Sequence, residues 1–93
     1  MLTVIAKITA KEGREEEIKR ALSELIAPTL LEEGCIDYIL HQSNDDPKLF
    51  FFYENWTDKD FLEKHLASTH ISEFSVKAEE LVEMAELSFL SKV

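Results

Sequence analysis

Polar and apolar positions alternate with period two from Met1 to Ala10. Leu2, Val4, Ala6 and Ile8 fall on one side, and Thr3, Ile5, Lys7 and Thr9 on the other. That spacing predicts a strand. Lys11-Glu12-Gly13 reads as a turn, after which the period changes. Ile18, Leu22, Leu25 and Ile26 are spaced to form the apolar stripe of a helix. Glu15, Glu16 and Glu17 suit its N-terminal end, where the backbone dipole favours negative charge. Glu15 with Lys19 and Glu16 with Arg20 are i,i+4 pairs for its wet face. Pro28 should kink or break this helix. Thr29 to Glu33 is expected to continue as a short offset turn that Gly34 ends.

Cys35 to Ser43 is expected as the second strand. Strict alternation puts Ile36, Tyr38 and Leu40 on one face and Cys35, Asp37, Ile39 and His41 on the other. Asn44-Asp45-Asp46-Pro47 is a dense turn signal, so this strand should form a hairpin with Lys48 to Trp56. The third strand is the most aromatic stretch of the chain. Phe50, Phe52, Glu54 and Trp56 share one face, and Leu49, Phe51, Tyr53 and Asn55 the other. Neither face is simply polar, so both need cover. Thr57 is expected to cap a helix carrying Phe61, Leu62, His65 and Leu66, with Asp60 as the acid three residues on. Ser68 or Thr69 should start a further helix with Ile71, Phe74 and Ala78 facing inward. Glu79 to Met84 fits helix or strand, and Leu87-Ser88-Phe89-Leu90 fits a strand.

The order strand, helix, strand, strand, helix pair, strand is the split β-α-β arrangement of a ferredoxin-like α+β sandwich. One domain, residues 1–93, is expected. Its helices would cover one face of an antiparallel sheet and leave the other face apolar. Face-to-face pairing of two copies into a dimeric α/β barrel would bury that second face.

Composition narrows the function classes. Ten Lys plus Arg against nineteen Asp plus Glu give the 93-residue chain a formal charge of −9. Such a chain has no electrostatic grip on nucleic-acid phosphates. A hydrophobic share of 45% argues for a packed core. One cysteine excludes an internal disulfide framework. No stretch approaches the ~20 apolar residues of a membrane span, and the start of the chain carries no basic-plus-apolar signal. A cytoplasmic protein with no membrane partner is the expectation.

Glu54 stands in a row of aromatics, where an unpartnered carboxylate is costly. His65 follows on the helix expected to pack there. An imidazole titrates near neutrality and can act as general base or acid, so His65 and Glu54 are the catalytic candidates. The residues alone leave His65 a second role, as a core side chain packed on the sheet. They leave Glu54 three: orienting His65, pairing with a lysine, or binding a substrate hydroxyl. Trp56 offers a flat wall and one N–H donor. Tyr38, Phe52 and His70 are candidates for lining the same pocket. Cys35 reads as buried filler. His41, His65 and His70 are spaced by 24 and 5 positions, which matches no compact ligand motif, so no metal site is expected.

Five segments together resemble the antibiotic biosynthesis monooxygenase domain, and within it the small quinol monooxygenases. They are Met1-Leu2-Thr3-Val4-Ile5-Ala6, Gly13, Glu32-Glu33-Gly34-Cys35 with Tyr38, Glu54-Asn55-Trp56, and His65-Leu66-Ala67-Ser68-Thr69-His70. The resemblance implies a homodimeric ferredoxin-like barrel and oxidation of a small quinol or dihydroxy-aromatic by O2 without a cofactor. Haem-degrading members of the domain carry an Asn and a Trp where this chain has Ala6 and His65, so haem degradation is not expected. Isomerases of a phosphorylated signal metabolite belong to the same domain. That activity would need a basic clamp, for which Lys7 and Lys64 are the candidates. A non-enzymatic binding module is the third reading, favoured if Glu54 and His65 satisfy one another in a closed core without a cavity.

Overall fold

A computed structural model describes residues 1–93. Its order is β1 (Leu2–Ala10), α1 (Glu15–Ser23), α2 (Ile26–Leu30), β2 (Cys35–Gln42), β3 (Leu49–Trp56), α3 (Lys59–Leu66), α4 (Thr69–Leu81) and β4 (Val82–Leu90). The four strands form one antiparallel sheet in the order β2-β3-β1-β4, the ferredoxin-like α+β topology expected from the element order.

β1 lies inside the sheet, and its alternation sets the rest. Val4, Ala6, Ile8 and Ala10 are buried under the helices. Across the ladder, Val4 faces Glu54, Ala6 faces Phe52 and Ile8 faces Phe50. The large Phe52 ring on β3 therefore stands beside the small Ala6 on β1, and Glu54 beside Val4. Val4 and Ala6 form part of the floor of a cavity. The opposite face carries Ile39, Tyr53, Met84 and Leu90, all exposed. Its polar centre is a chain in which Thr3 Oγ1 donates to Asn55 Oδ1 at 2.6 Å and Asn55 Nδ2 donates to Asp37 Oδ2 at 2.9 Å.

Three boundaries differ from the reading of the sequence, each for a local reason. Strict alternation along β2 fails at its start. Cys35 pairs with Trp56 while Asp37 pairs with Asn55, so Ile36 is an extra residue between them. That bulge turns Cys35 to the same side as Tyr38, where it packs against the core. The helix capped near residue 57 takes Asp58, not Thr57, as its cap. The Asp58 carboxylate accepts from the backbone N–H of Asp60 and Phe61. The first helix breaks before Pro28 rather than at it. The proline ring clashes with the carbonyl four residues back, at Glu24, between α1 and α2. Pro28 itself sits in the first turn of α2, where no N–H is needed. Ser68 caps α4 as expected, accepting from Ile71 N at 3.4 Å. The ambiguous Glu79–Met84 stretch divides cleanly, α4 ending at Leu81 and β4 starting at Val82.

Candidate active site

The cavity lies between the helices and the covered sheet face and encloses about 280 Å³. Its walls include Tyr38 from β2, Phe52 and Glu54 from β3, Leu62 and His65 from α3, and Phe74 from α4. Four sequence candidates thus line one space. Trp56 lies beside it, its ring centre 4.8 Å from that of His65. No lysine or arginine lines the cavity.

β3 presents Glu54 and Trp56 two residues apart on one face, and they bond to each other. Trp56 Nε1–H donates to Glu54 Oε1 at 2.9 Å. Glu54 is only 4% exposed. Burial raises its carboxyl to about 7, partly opposed by the indole hydrogen bond and reinforced by the charge of Glu32. The group is thus poised between acid and carboxylate near neutral pH. Tyr38 stacks on Phe52 with ring centres 4.2 Å apart, and burial holds its phenol well above the ordinary value.

Of the three roles left open for Glu54, orienting His65 is not the one it takes. His65, 2% exposed, donates Nδ1–H to Glu32 Oε2 at 2.6 Å. Glu54 is taken by Trp56, and the carboxylate that orients His65 comes from the turn after α2. A carboxylate accepting at Nδ1 fixes the hydrogen there. Nε2 is then the unprotonated nitrogen, and no protein group bonds to it. Burial lowers the pKa of His65 below its ordinary value, against the pull of Glu32, so the ring is a neutral base. His70, in the first turn of α4, donates Nε2–H to the same Glu32 oxygen at 3.0 Å. It does not line the cavity. Its place is behind His65, on the solvent side.

Glu32 is the residue that motif reasoning passed over. It lies 33 positions from His65 and has no periodic partner. The one signal that included it was the Glu32-Glu33-Gly34-Cys35 segment. Gly34 holds that turn in place at φ 83°, with α3 packed directly against it. Glu32, His65 and His70 also form the chain's one cluster with ligand atoms close enough for a metal ion, all within 4.8 Å of one another. Cys35 is no nucleophile, since burial pushes its thiol to about 11.

The family model described as antibiotic biosynthesis monooxygenase matches residues 1–77. A protein of Pseudomonas aeruginosa, PA3566, has a crystal structure that superposes with a TM-score of 0.95 at 39% identity, covering 99% of this chain and 93% of that one. A crystal structure described as an antibiotic biosynthesis monooxygenase superposes at 0.93 with 26% identity, covering 100% of this chain and 99% of that one. An uncharacterised protein of Synechocystis is 27% identical over 81 residues, which is 87% of this chain. The chain spans 55% of that relative's length.

Proposed function

We propose a reaction from one premise: this chain belongs to the antibiotic biosynthesis monooxygenase family. The proposed reaction is oxidation of a small quinol or dihydroxy-aromatic by O2, with no cofactor. The observation that carries it is His65, whose ring lines the cavity while Nδ1 is tied to Glu32. This leaves Nε2 free to take a phenolic proton. A phenolate is electron-rich enough to pass electrons to O2. One oxygen atom then enters the ring as a hydroxyl and the other leaves as water. The substrate supplies the electrons by becoming the hydroxylated quinone.

Glu54, near its own midpoint at neutral pH, can accept from or donate to a second hydroxyl on the ring. Trp56 holds it in place, and Tyr38 and Phe52 supply a stacked aromatic wall. The cavity is at the small end of the ligand-pocket range, which suits a one- or two-ring substrate. A cavity without cations gives no support to a phosphorylated substrate. Lys7 belongs to the other face of the sheet, and the Lys64 ammonium lies over the Phe61 ring.

The test is oxygen uptake with metal-free hydroquinones and dihydroxynaphthalenes, corrected for autoxidation. Uptake should saturate, scale with enzyme, and fall by at least about 100-fold in His65→Ala, the lower range for loss of a general base. Equal rates in the two proteins would remove His65 from the chemistry. No enzyme-dependent uptake across the panel would remove the reaction.

A second copy is also proposed to cover the open sheet face, because Ile39, Tyr53, Met84 and Leu90 are exposed there together. Sedimentation should give twice the chain mass for wild type and a lower mass for Ile39→Lys. A wild-type monomer at high concentration would contradict it.

A further inference from the structure

Glu32, His65 and His70 come from three different elements, yet they meet on a single oxygen. Glu32 Oε2 lies 2.6 Å from His65 Nδ1 and 3.0 Å from His70 Nε2. Around a divalent ion with bonds of about 2.1 Å, neighbouring ligand atoms sit roughly 3.3 Å apart. The oxygen is slightly too close to each nitrogen, and the two nitrogens are up to 4.8 Å apart, so the carboxylate must draw back and the imidazoles close by about an ångström to share one ion. We propose that these residues form a site for a borderline divalent metal ion of the Zn2+ or Co2+ class.

The chemistry of the donors selects that class. Two imidazole nitrogens and one carboxylate oxygen suit Zn2+, Co2+ or Ni2+, whereas Ca2+ and Mg2+ demand oxygen alone. The backbone already holds the donors. His65 lies in the last turn of α3 and His70 in the first turn of α4, the two helices being separated by a two-residue break. Ser68 in that break donates to His65 O at 2.6 Å and caps α4. Little side-chain entropy remains to be lost on binding. The cluster has no competing cation either, for Glu32 pairs with the two histidines and with no lysine or arginine. Access is from outside. The side chains of His70 and Glu32 are 21% and 17% exposed, against 3% for His65. Water can complete the coordination from that side.

Occupancy has a consequence for the cavity, and this part rests on the proposed role of His65. A metal on Nδ1 displaces the hydrogen from that nitrogen, and the neutral ring then carries it on Nε2. Nε2, the nitrogen proposed as the base, becomes a donor and can no longer take a proton. The bound ion would act as an off-switch seated behind the base, outside the substrate space.

The experiment is Co2+ titration of tag-free, chelator-stripped protein, read by visible d–d absorption and by the thermal midpoint. One Co2+ per chain should bind, Zn2+ should displace it, and the midpoint should rise. His70→Ala and Glu32→Gln should each weaken binding at least tenfold. His70 is partly exposed, so that variant is expected to fold, checked by its metal-free circular dichroism. His41→Ala, on the open sheet face, should bind as wild type does. Absence of a saturable one-per-chain signal, or equal binding by His70→Ala, would overturn the site. Oxygen uptake with and without Zn2+ then tests the switch separately. A chain that binds Co2+ but takes up no oxygen keeps the site and loses the reaction.

Discussion

Glu54→Gln should flatten the fall in stability that wild type shows between about pH 4.5 and pH 7. The folded carboxyl titrates near 7 because it is buried between Trp56 and the cavity, while the unfolded one titrates at its ordinary value of 4.5. Below 4.5 both states are protonated and burial carries no charge penalty. Between the two values the unfolded chain releases its proton and the folded chain keeps it, so stability falls as pH rises. Above 7 both are ionised and the difference is constant. A shift of this size is worth about 3 kcal/mol at 1.36 kcal/mol per unit. Glutamine keeps an oxygen for the indole N–H and carries no charge at any pH. The variant should therefore match wild type near pH 4 and exceed it by about 3 kcal/mol at pH 8, read from urea unfolding. His65 acts in the opposite sense. Its lowered folded pKa removes stability as pH falls below about 6.5 in both proteins, so it cancels in the difference. Glu32, the other charge acting on Glu54, is common to both, and the Tyr38 phenol, raised by burial, stays protonated in both. Parallel curves for the two proteins would show that Glu54 is not held in its neutral form.

Gly34→Ala should cost about 4 kcal/mol, from left-handed backbone strain together with overpacking. Gly34 has φ 83°, and a Cβ there would overlap the Phe61 ring and its Cβ on α3. The stem of that ring cannot swing aside as a flexible tip would. Gly13 supplies the control, with φ 81° and nothing near its missing Cβ. Gly13→Ala should cost only the strain, about 1–2 kcal/mol. In a double-mutant cycle, Phe61→Ala should recover part of the loss at Gly34 and none at Gly13. The effect reaches the site, because Gly34 sets the approach of Glu32 to His65. Gly34 O also accepts from Thr57 N at 2.8 Å, anchoring the turn to the end of β3. Equal losses at the two glycines would show that the contact with Phe61 carries no weight.

The strands and helices were legible because their signals are local. The period-two runs of β1 and β3 each bury one side, and the stripe Ile18, Leu22, Leu25 turns inward. The aromatic run at Phe50–Trp56 also identified the sheet face on which Glu54 and Trp56 stand. Local signals failed where one residue changed the count. The bulge at Ile36 reversed Cys35, and only the ladder against β3 determines where such an extra residue falls.

His65, Glu54, Tyr38 and Phe52, all singled out in the sequence, line one cavity with Trp56 beside it, because strand parity says which groups share a face. Who partners whom was decided by the tertiary structure alone. Glu54 had two neighbours of suitable chemistry, and the indole two positions away on its own strand face took it. His65 was left to a carboxylate 33 positions distant, brought in by the turn at Gly34 and shared with His70. Parity and periodicity act within a few residues along the chain. A hydrogen bond at 2.6 Å is set by the packing of separate elements, which no spacing along the chain encodes.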